Sequence, residues 1–197
     1  MFREQELVRF REPPVARFLF GHIQMATLWL FVRVYVGLQW LDAARLKLED
    51  SNWMETGAAL QGYWQRAVAM PEQAPAISFD WYRALLEDLL AGGHYVWFAK
   101  LVTFGEAAVG IALILGAFTG IAAFFGAFMN WNFLMAGSAS TNPFLFTLAV
   151  GMILAWKIAG YWGLDRWLLP RLGTPWEPRR VWRIRTHREA PVPALTR

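Results

Sequence analysis

The chain has 197 residues, the length of one ordinary domain, but 56% of them are hydrophobic and only 17% are charged. A typical soluble domain has about 25% charged residues, so this composition, with a formal net charge of +4, favours an integral membrane protein over a soluble one. The absence of cysteine excludes disulfides, thiolate catalysis, iron–sulfur ligation and covalent haem attachment on this chain.

The first long apolar run covers residues 23–46 and predicts a transmembrane helix, since a bilayer core of about 30 Å requires about 20 residues. It contains Arg33, Gln39 and Asp42, so it is not a simple lipid-facing anchor. The preceding segment has mixed charge and no pattern of a cleavable signal peptide. We therefore expect the first helix itself to act as the targeting signal.

The second apolar run, residues 95–135, is about twice the length that one crossing needs. Two glycines at 116 and 120 predict a turn, which gives a second helix over 95–116 and a third over 119–137. Residues 137–143 read as another turn, with Pro143 suited to the first turn of a fourth helix over 144–161. The predicted fold is an all-α, four-helix membrane bundle.

Arginines are concentrated near the two ends of the sequence, whereas the loop 49–94 is acidic. The positive-inside rule therefore predicts both termini in the cytoplasm, the loop outside, and a multi-pass protein of the inner (cytoplasmic) membrane. The predicted segments are a cytoplasmic N-terminal segment 1–21, a transmembrane domain 22–164 and a basic cytoplasmic tail 165–197. The tail is more simply an anchor on the membrane surface than a nucleic-acid-binding segment.

The external loop contains two stretches with helical spacing of apolar residues, separated by Pro71 and Pro75. They predict two short amphipathic helices at the outer interface, with Arg83, Glu87 and Asp88 on the polar face of the second. Either these helices simply cover the bundle, or they form a docking surface for another subunit.

Two opposite charges lie in the predicted spans. Arg33 and Glu106 each sit about eleven residues into their helices, and a lone charge near the middle of a bilayer costs at least about 2.5–3.5 kcal/mol. This predicts a buried Arg33–Glu106 ion pair that faces the bundle interior. The pair is either a structural lock or a catalytic pair that handles protons or electrons.

A second layer of polar residues is predicted nearer the outer face. Buried amides and hydroxyls need partners, so their clustering indicates either a polar pocket that opens outward or an interhelical hydrogen-bond network. Lys47 and Arg45 are expected to extend toward the outer interface. The candidate substrate- or quinone-binding residues are Asp42, Lys47, Lys100, Asn130, Trp131, Asn132, Ser138 and Asn142, with Gln39 and Thr141 in the same layer.

The three histidines do not form a haem site. His22, His94 and His187 lie at different predicted depths, so no two of them can act as axial ligands of one membrane haem. No metal-ligand cluster, phosphate loop or nucleophile–base spacing is visible in the sequence. We therefore predict neither haem nor metal on this chain.

Three segments resemble the DoxX/DoxD family of four-helix membrane proteins. They are VRVYVGLQWLDAARLKLEDSNWM at 32–54, FGEAAVGIALILGAFTGIAA at 104–123 and NWNFLMAGSASTNP at 130–143. Arg33, Gly37, Lys47 and Glu106 fall where the family pattern places the same residue types. The resemblance implies a membrane subunit of a thiosulfate:quinone oxidoreductase, which joins two thiosulfates to tetrathionate and reduces quinone, together with a separate small DoxA-like subunit.

The expected function is therefore that of a membrane subunit of a quinone-linked oxidoreductase, with quinone as substrate or bound ligand. Quinone would enter the polar pocket from lipid, and Lys100, Arg45 or Lys47 would attract the thiosulfate anion at the outer face. The alternative is a non-catalytic accessory or scaffolding subunit of a larger respiratory complex. A small transporter is a weaker third reading, because no inverted repeat is evident.

Overall fold

The computed structural model describes residues 12–70 and 75–173, so the first eleven residues and most of the basic tail lie outside the described part of the chain. All regular structure in the described ranges is helical, which confirms the predicted all-α class. A 3-10 turn, Ile23–Met25, precedes the second helix. The helices are α1 Pro14–Gly21, α2 Ala26–Glu49, α3 Ser51–Met54, α4 Ala58–Val68, α5 Asp80–Ala91, α6 Tyr95–Leu115, α7 Thr119–Met135, α8 Asn142–Leu154, α9 Trp156–Ala159 and α10 Asp165–Arg171.

Four of the longer helices pack around one another in a closed ring. Helix α2 lies against α6, α6 against α7, and α7 against α8, while α8 and the short α9 return to α2. Apolar side chains from each of these helices fill the interior, among them Trp29, Val36, Trp40, Val109, Leu113, Ala123, Ala149 and Met152. We call α3, α4 and α5 the cap, because they pack over the end of the ring at which α6 begins.

Helices α2 and α6 approach each other most closely at two glycines. A Cβ atom placed on Gly37 would lie 3.0 Å from the carbonyl oxygen of Gly110, and one on Gly110 would lie 2.9 Å from the carbonyl oxygen of Gly37. Small residues at such a crossing let two helix backbones come into contact. The glycine pair therefore fixes how far the antiparallel helices are shifted along each other.

The turn between α6 and α7 forms where the glycines predict it. Gly116 has φ +66° and ends α6, and α7 begins at Thr119. The buried carboxylate of Asp165 accepts hydrogen bonds from the backbone N–H groups of Phe118 (2.5 Å) and Thr119 (2.9 Å). It thereby caps the N-terminus of α7, where N–H groups have no partner within the helix.

The fourth predicted helix, 144–161, is not continuous. Helix α8 ends at Leu154 and α9 begins at Trp156, with a break at Ala155. The Cβ of Trp156 packs directly against Gly120 of α7, a position without a side chain. The break thus lets α9 lie close to α7 while it also contacts α2.

The two helices predicted in the external loop are present as α4 and α5, but Arg83 does not lie on a solvated face. Its side chain is 9% exposed and donates to the carbonyl oxygens of Val68 (3.1 Å) and Ile77 (2.7 Å). The periodicity was misleading because a guanidinium with five donors can satisfy carbonyls at a helix end from a buried position. Arg83 therefore ties α5 to the end of α4.

Among the described residues, α6 is the one helix that is long and apolar enough by itself to cross a membrane, with 21 residues and mean hydropathy 1.8. Helix α1 and residues 23–49 qualify as a second span only if this pair, bent by 54°, is counted as one. Helix α8, with 13 residues, is apolar but shorter.

We predict that Gly116→Ala destabilises the protein more than Gly93→Ala. Both glycines have positive φ, +66° and +67°, so an alanine at either position costs about 1–2 kcal/mol of backbone strain. A Cβ at Gly116 would also lie 2.7 Å from the guanidinium carbon of Arg33, whereas nothing lies within 4 Å at Gly93. Thermal unfolding of the purified variants, followed by circular dichroism, measures the difference. Equal losses of stability in the two variants would mean that the close packing of Arg33 on Gly116 does not contribute to the stability of the protein.

Candidate functional site

A buried ion pair joins α2 and α6 near the cap. The Nζ atom of Lys47 lies 2.9 and 2.8 Å from the two carboxylate oxygens of Glu106. The Glu106 side chain is 1% exposed and that of Lys47 is 17% exposed. The ammonium of Lys47 also lies 5.3 Å from the ring centre of Trp53, within the range of a cation–π contact.

The predicted ion pair between Arg33 and Glu106 is wrong. Arg33 is 1% exposed, but its guanidinium donates to three carbonyl oxygens, those of Leu113 (2.6 Å), Ile114 (2.8 Å) and Trp162 (3.0 Å). The first two belong to the last turn of α6, where carbonyls have no partner within the helix. Arg33 therefore caps α6 and fastens the chain that follows α9.

The register of α2 and α6 explains why Glu106 pairs with Lys47 and not with Arg33. Arg33 precedes Gly37 by four residues and Glu106 precedes Gly110 by four, but the helices are antiparallel. The two charges are thus eight residues apart along the bundle, about 12 Å at about 1.5 Å per residue.

The direction of the side chains adds to this separation. Side chains on a helix lean toward its N-terminus. In an antiparallel pair, Arg33 and Glu106 therefore lean away from each other, whereas Lys47 and Glu106 lean toward each other.

A cavity of about 310 Å³, lined by both polar and apolar side chains, borders the Lys47–Glu106 pair. We call it the ion-pair cavity. It lies between the cap, the ring of helices and the turn that joins α7 to α8. Its walls are formed by Gln39, Trp40, Ala43, Lys47, Trp53, Tyr63, Glu106, Asn130, Phe133, Ser138, Ser140, Thr141, Asn142 and Leu145.

Asn130, Trp40 and Tyr63 of this wall carry buried polar side-chain atoms without a hydrogen-bond partner among the described residues, and Asn130 is the one of the three with both a donor and an acceptor group unpaired. It is 0% exposed, and neither Nδ2 nor Oδ1 of its side chain has a hydrogen-bond partner among the described residues. A buried polar group without a partner costs about 1–3 kcal/mol. An amide that carries one donor group and one acceptor and borders a cavity is well placed to bind a small polar molecule.

Five of the ten predicted site residues border the cavity: Lys47, Glu106, Asn130, Ser138 and Asn142. The Nδ2 atom of Asn142 is bonded to the carbonyl oxygen of Ser138 (2.8 Å), which holds the turn. Gln39 and Thr141, expected in the same layer, are also in the wall.

The other predicted site residues lie elsewhere. Asp42 is exposed and pairs with Arg45 at 3.1 Å, and Lys100 is exposed on the surface. Trp131 is 39% exposed and turned away from the cavity wall. Asn132 donates from Nδ2 to the carbonyl oxygen of Phe128 (2.8 Å) and accepts a hydrogen bond from the Tyr82 hydroxyl (3.3 Å to Oδ1). The prediction was wrong for these residues because position along the sequence gives the depth of a residue in a helix but not the face of the helix that it occupies.

Sequence reasoning missed the aromatic part of the wall. Trp40, Phe133 and the cap residues Trp53 and Tyr63 border the cavity. Burial raises the pKa of the Tyr63 hydroxyl, so this group stays protonated at neutral pH. The helical spacing of Trp53 and Tyr63 with Trp64 predicts a helix at the membrane interface, but this spacing does not indicate that these side chains border a cavity.

The cavity carries one positive and one negative group in contact, so its described lining has no net charge. Within the described ranges, no three His, Cys, Asp or Glu residues are grouped so that they could hold a metal ion. Comparisons with known protein families, with characterised proteins and with solved structures find no match to this chain. The fold and site therefore define an all-helical bundle with a neutral polar cavity under its cap.

We predict that Lys47→Met destabilises the protein by about 3–5 kcal/mol, because it leaves Glu106 buried without a compensating charge. The double variant Lys47→Met, Glu106→Gln should recover most of this loss, since it removes both charges. Thermal or denaturant unfolding of the single and double variants measures the coupling. Arg45→Met is the matched control, because Arg45 is 60% exposed in its pair with Asp42 and should have a much smaller effect. Additive effects of the two substitutions would contradict a coupled pair.

Proposed function

We propose that the bundle spans the inner membrane with four helices and has both termini in the cytoplasm. Large apolar side chains on the outer faces of α6 and α7 support this, because such a surface is rare on a soluble monomer and is suited to lipid. Their exposed fractions are 57% for Leu101, 58% for Phe104, 51% for Ile111, 59% for Ile121, 56% for Phe124 and 50% for Phe128. Buried charges on the inner faces, such as Arg33 and Glu106, fit the same arrangement.

We further propose that the ion-pair cavity binds the head group of a quinone, and that the chain is the membrane subunit of a quinone-linked oxidoreductase. The observation that carries this proposal is the unpartnered amide of Asn130 beside the Lys47–Glu106 pair. A quinone is neutral and offers two carbonyl acceptors. Lys47 and the Nδ2 group of Asn130 supply donors of the kind that these oxygens require.

The residues that border the cavity can also bind the reduced quinone. Two electrons and two protons convert both carbonyl oxygens of a quinone into hydroxyl groups, which then act as donors. The Oδ1 atom of Asn130 and the carboxylate of Glu106 are acceptors for such groups. Lys47 and Glu106 are also groups that can pass protons within a membrane protein, and they border the same cavity as the exposed residues Ser140 and Thr141.

The charge of the cavity favours quinone over thiosulfate as its ligand. Thiosulfate is a dianion, and moving it into a buried site that has no net positive charge is costly. We therefore place thiosulfate oxidation, which the DoxX/DoxD resemblance implies, on a separate DoxA-like subunit. In this scheme two thiosulfates join as tetrathionate there, and the two electrons released reduce the quinone.

An accessory or scaffolding role is the second candidate. The cap carries exposed apolar side chains, with exposed fractions of 51% for Phe79, 57% for Trp81 and 46% for Leu85. This surface fits contact with another membrane subunit as well as contact with lipid. Partner identification by co-isolation from native membranes distinguishes this role from the enzymatic one.

We predict that the purified chain in lipid nanodiscs binds a short-tailed benzoquinone and that Asn130→Leu and Lys47→Met each weaken binding by about tenfold, the value of one hydrogen bond. Arg45→Met is the control, because it removes a nearby cation of α2 that does not border the cavity. Quenching of tryptophan fluorescence by the quinone measures affinity, since Trp40 and Trp53 lie in the cavity wall. Equal affinity in the wild type and both cavity variants would refute the proposed site.

A second prediction concerns turnover in native membranes. Thiosulfate-dependent quinone reduction should fall at least tenfold in Glu106→Gln at matched protein levels, because the variant lacks the buried proton acceptor. Lys100→Met should leave this activity unchanged, because Lys100 is exposed, does not border the cavity, and thiosulfate is oxidised on the partner subunit in this scheme. If the wild type binds quinone but shows no thiosulfate-dependent activity, the proposed quinone site stands and the electron donor is a compound other than thiosulfate.

A further inference from the structure

A second, larger cavity adjoins the ion-pair cavity. It has a volume of about 810 Å³ and follows the cleft between α6 and α7, under α4 and α5 of the cap. We call it the apolar cleft. Apart from Tyr63, Tyr82 and Asn132, its walls are hydrophobic residues and one glycine, among them Phe98, Gly105, Ala108, Ala112 and Met129.

The two cavities share a wall. Tyr63 and Phe133 border both of them, so the cleft and the cavity with the charged groups adjoin at these two side chains. Tyr82 and Asn132 are polar residues of the cleft, and they are bonded to each other: the Tyr82 hydroxyl donates to the backbone oxygen of Asn132 at 3.1 Å. Burial raises the pKa of Tyr82 to about 12, so this hydroxyl stays a donor at neutral pH.

The cleft has the dimensions of a site for an extended chain. Its lining on α6 runs from Phe98 to Ala112, about 21 Å at about 1.5 Å per residue. Gly105, Ala108 and Ala112 follow one another at helical spacing, and their small side chains leave the cleft open along its length.

The ion-pair cavity has another boundary, between α2 and α8. There its wall combines the polar side chains of Gln39, Thr141 and Asn142 with those of Trp40, Ala43 and Leu145. A long hydrocarbon chain gains free energy from apolar walls and none from polar ones. Because the walls of the cleft are almost wholly apolar, a ligand with a polar head in the ion-pair cavity would gain most from an apolar tail on the side of Tyr63 and Phe133.

We propose that the apolar cleft binds the isoprenoid tail of the quinone whose head group occupies the ion-pair cavity, with the tail passing between Tyr63 and Phe133. This inference rests on the proposed quinone site and states which quinones the site selects, namely long-tailed quinones that reside in the membrane. Bulk lipid in the cleft is the competing occupant.

The test compares quinones that share one benzoquinone head group and differ only in the tail, a single isoprene unit against a long isoprenoid chain, in nanodiscs of fixed lipid content. Ala108→Phe and Gly105→Leu fill the cleft. Ala108 is exposed, and a Cβ at Gly105 meets only the Met129 sulfur at 3.5 Å, so both changes should fold. Ile111→Phe is the control, because Ile111 is 51% exposed on the same helix and does not border the cleft.

We expect the filled variants to lose affinity for the long-tailed quinone by about tenfold or more, because burial of the tail carbons contributes to binding. Affinity for the single-isoprene quinone and the behaviour of Ile111→Phe should stay as in the wild type. Unchanged long-tail affinity in both filled variants, with the head group still bound, would mean that the tail does not lie in the cleft and would overturn this inference alone. Failure of both quinones to bind the wild type would overturn the proposed function as well.

Discussion

Contact between the backbones of α2 and α6 at Gly37 and Gly110 is the constraint on which the rest of the site depends. Each glycine lies where any Cβ would meet a carbonyl oxygen of the other helix, so the two helices cannot slide without losing this contact. The register that results brings Lys47 to Glu106 and brings Arg33 to the end of α6. A pair of residues with no side chain thus decides which charged groups meet.

Two buried cations therefore have different roles in one helix. Arg33 has its charge distributed over three carbonyl oxygens, with the Asp165 carboxylate close enough to interact electrostatically. This arrangement uses the rigid fork of a guanidinium to close the end of the bundle where α6 turns into α7. Lys47 instead meets a carboxylate beside a cavity, and an ammonium on a flexible stem can exchange a carboxylate contact for a ligand contact. The first group holds the fold together, and the second is available for binding.

The sequence predicted the helices well and the site only in part. Long apolar runs and the glycine turn predicted the bounds of α6 and α7 within two residues, because length and chain reversal are local properties. The partner of Glu106 was not predicted, because depth was counted from helix ends while the register is set at the glycine crossing. The role of Asp165 was also missed, because its capping bonds to Phe118 and Thr119 join residues far apart in sequence.

The neutral ion pair and the unpartnered amide together restrict the chemistry of any ligand. A dianion would have to compete with Glu106 for Lys47 in a buried place, whereas a neutral molecule with carbonyl or hydroxyl groups can bond to Lys47 and Asn130 without disturbing the charge balance. Because α2, α6 and α7 carry these three groups on helices rather than on loops, the groups are held in place before the ligand arrives. In the proposed quinone site, the apolar cleft beyond Tyr63 and Phe133 would add affinity without adding charge, because polar groups would recognise the head and apolar walls would hold the tail.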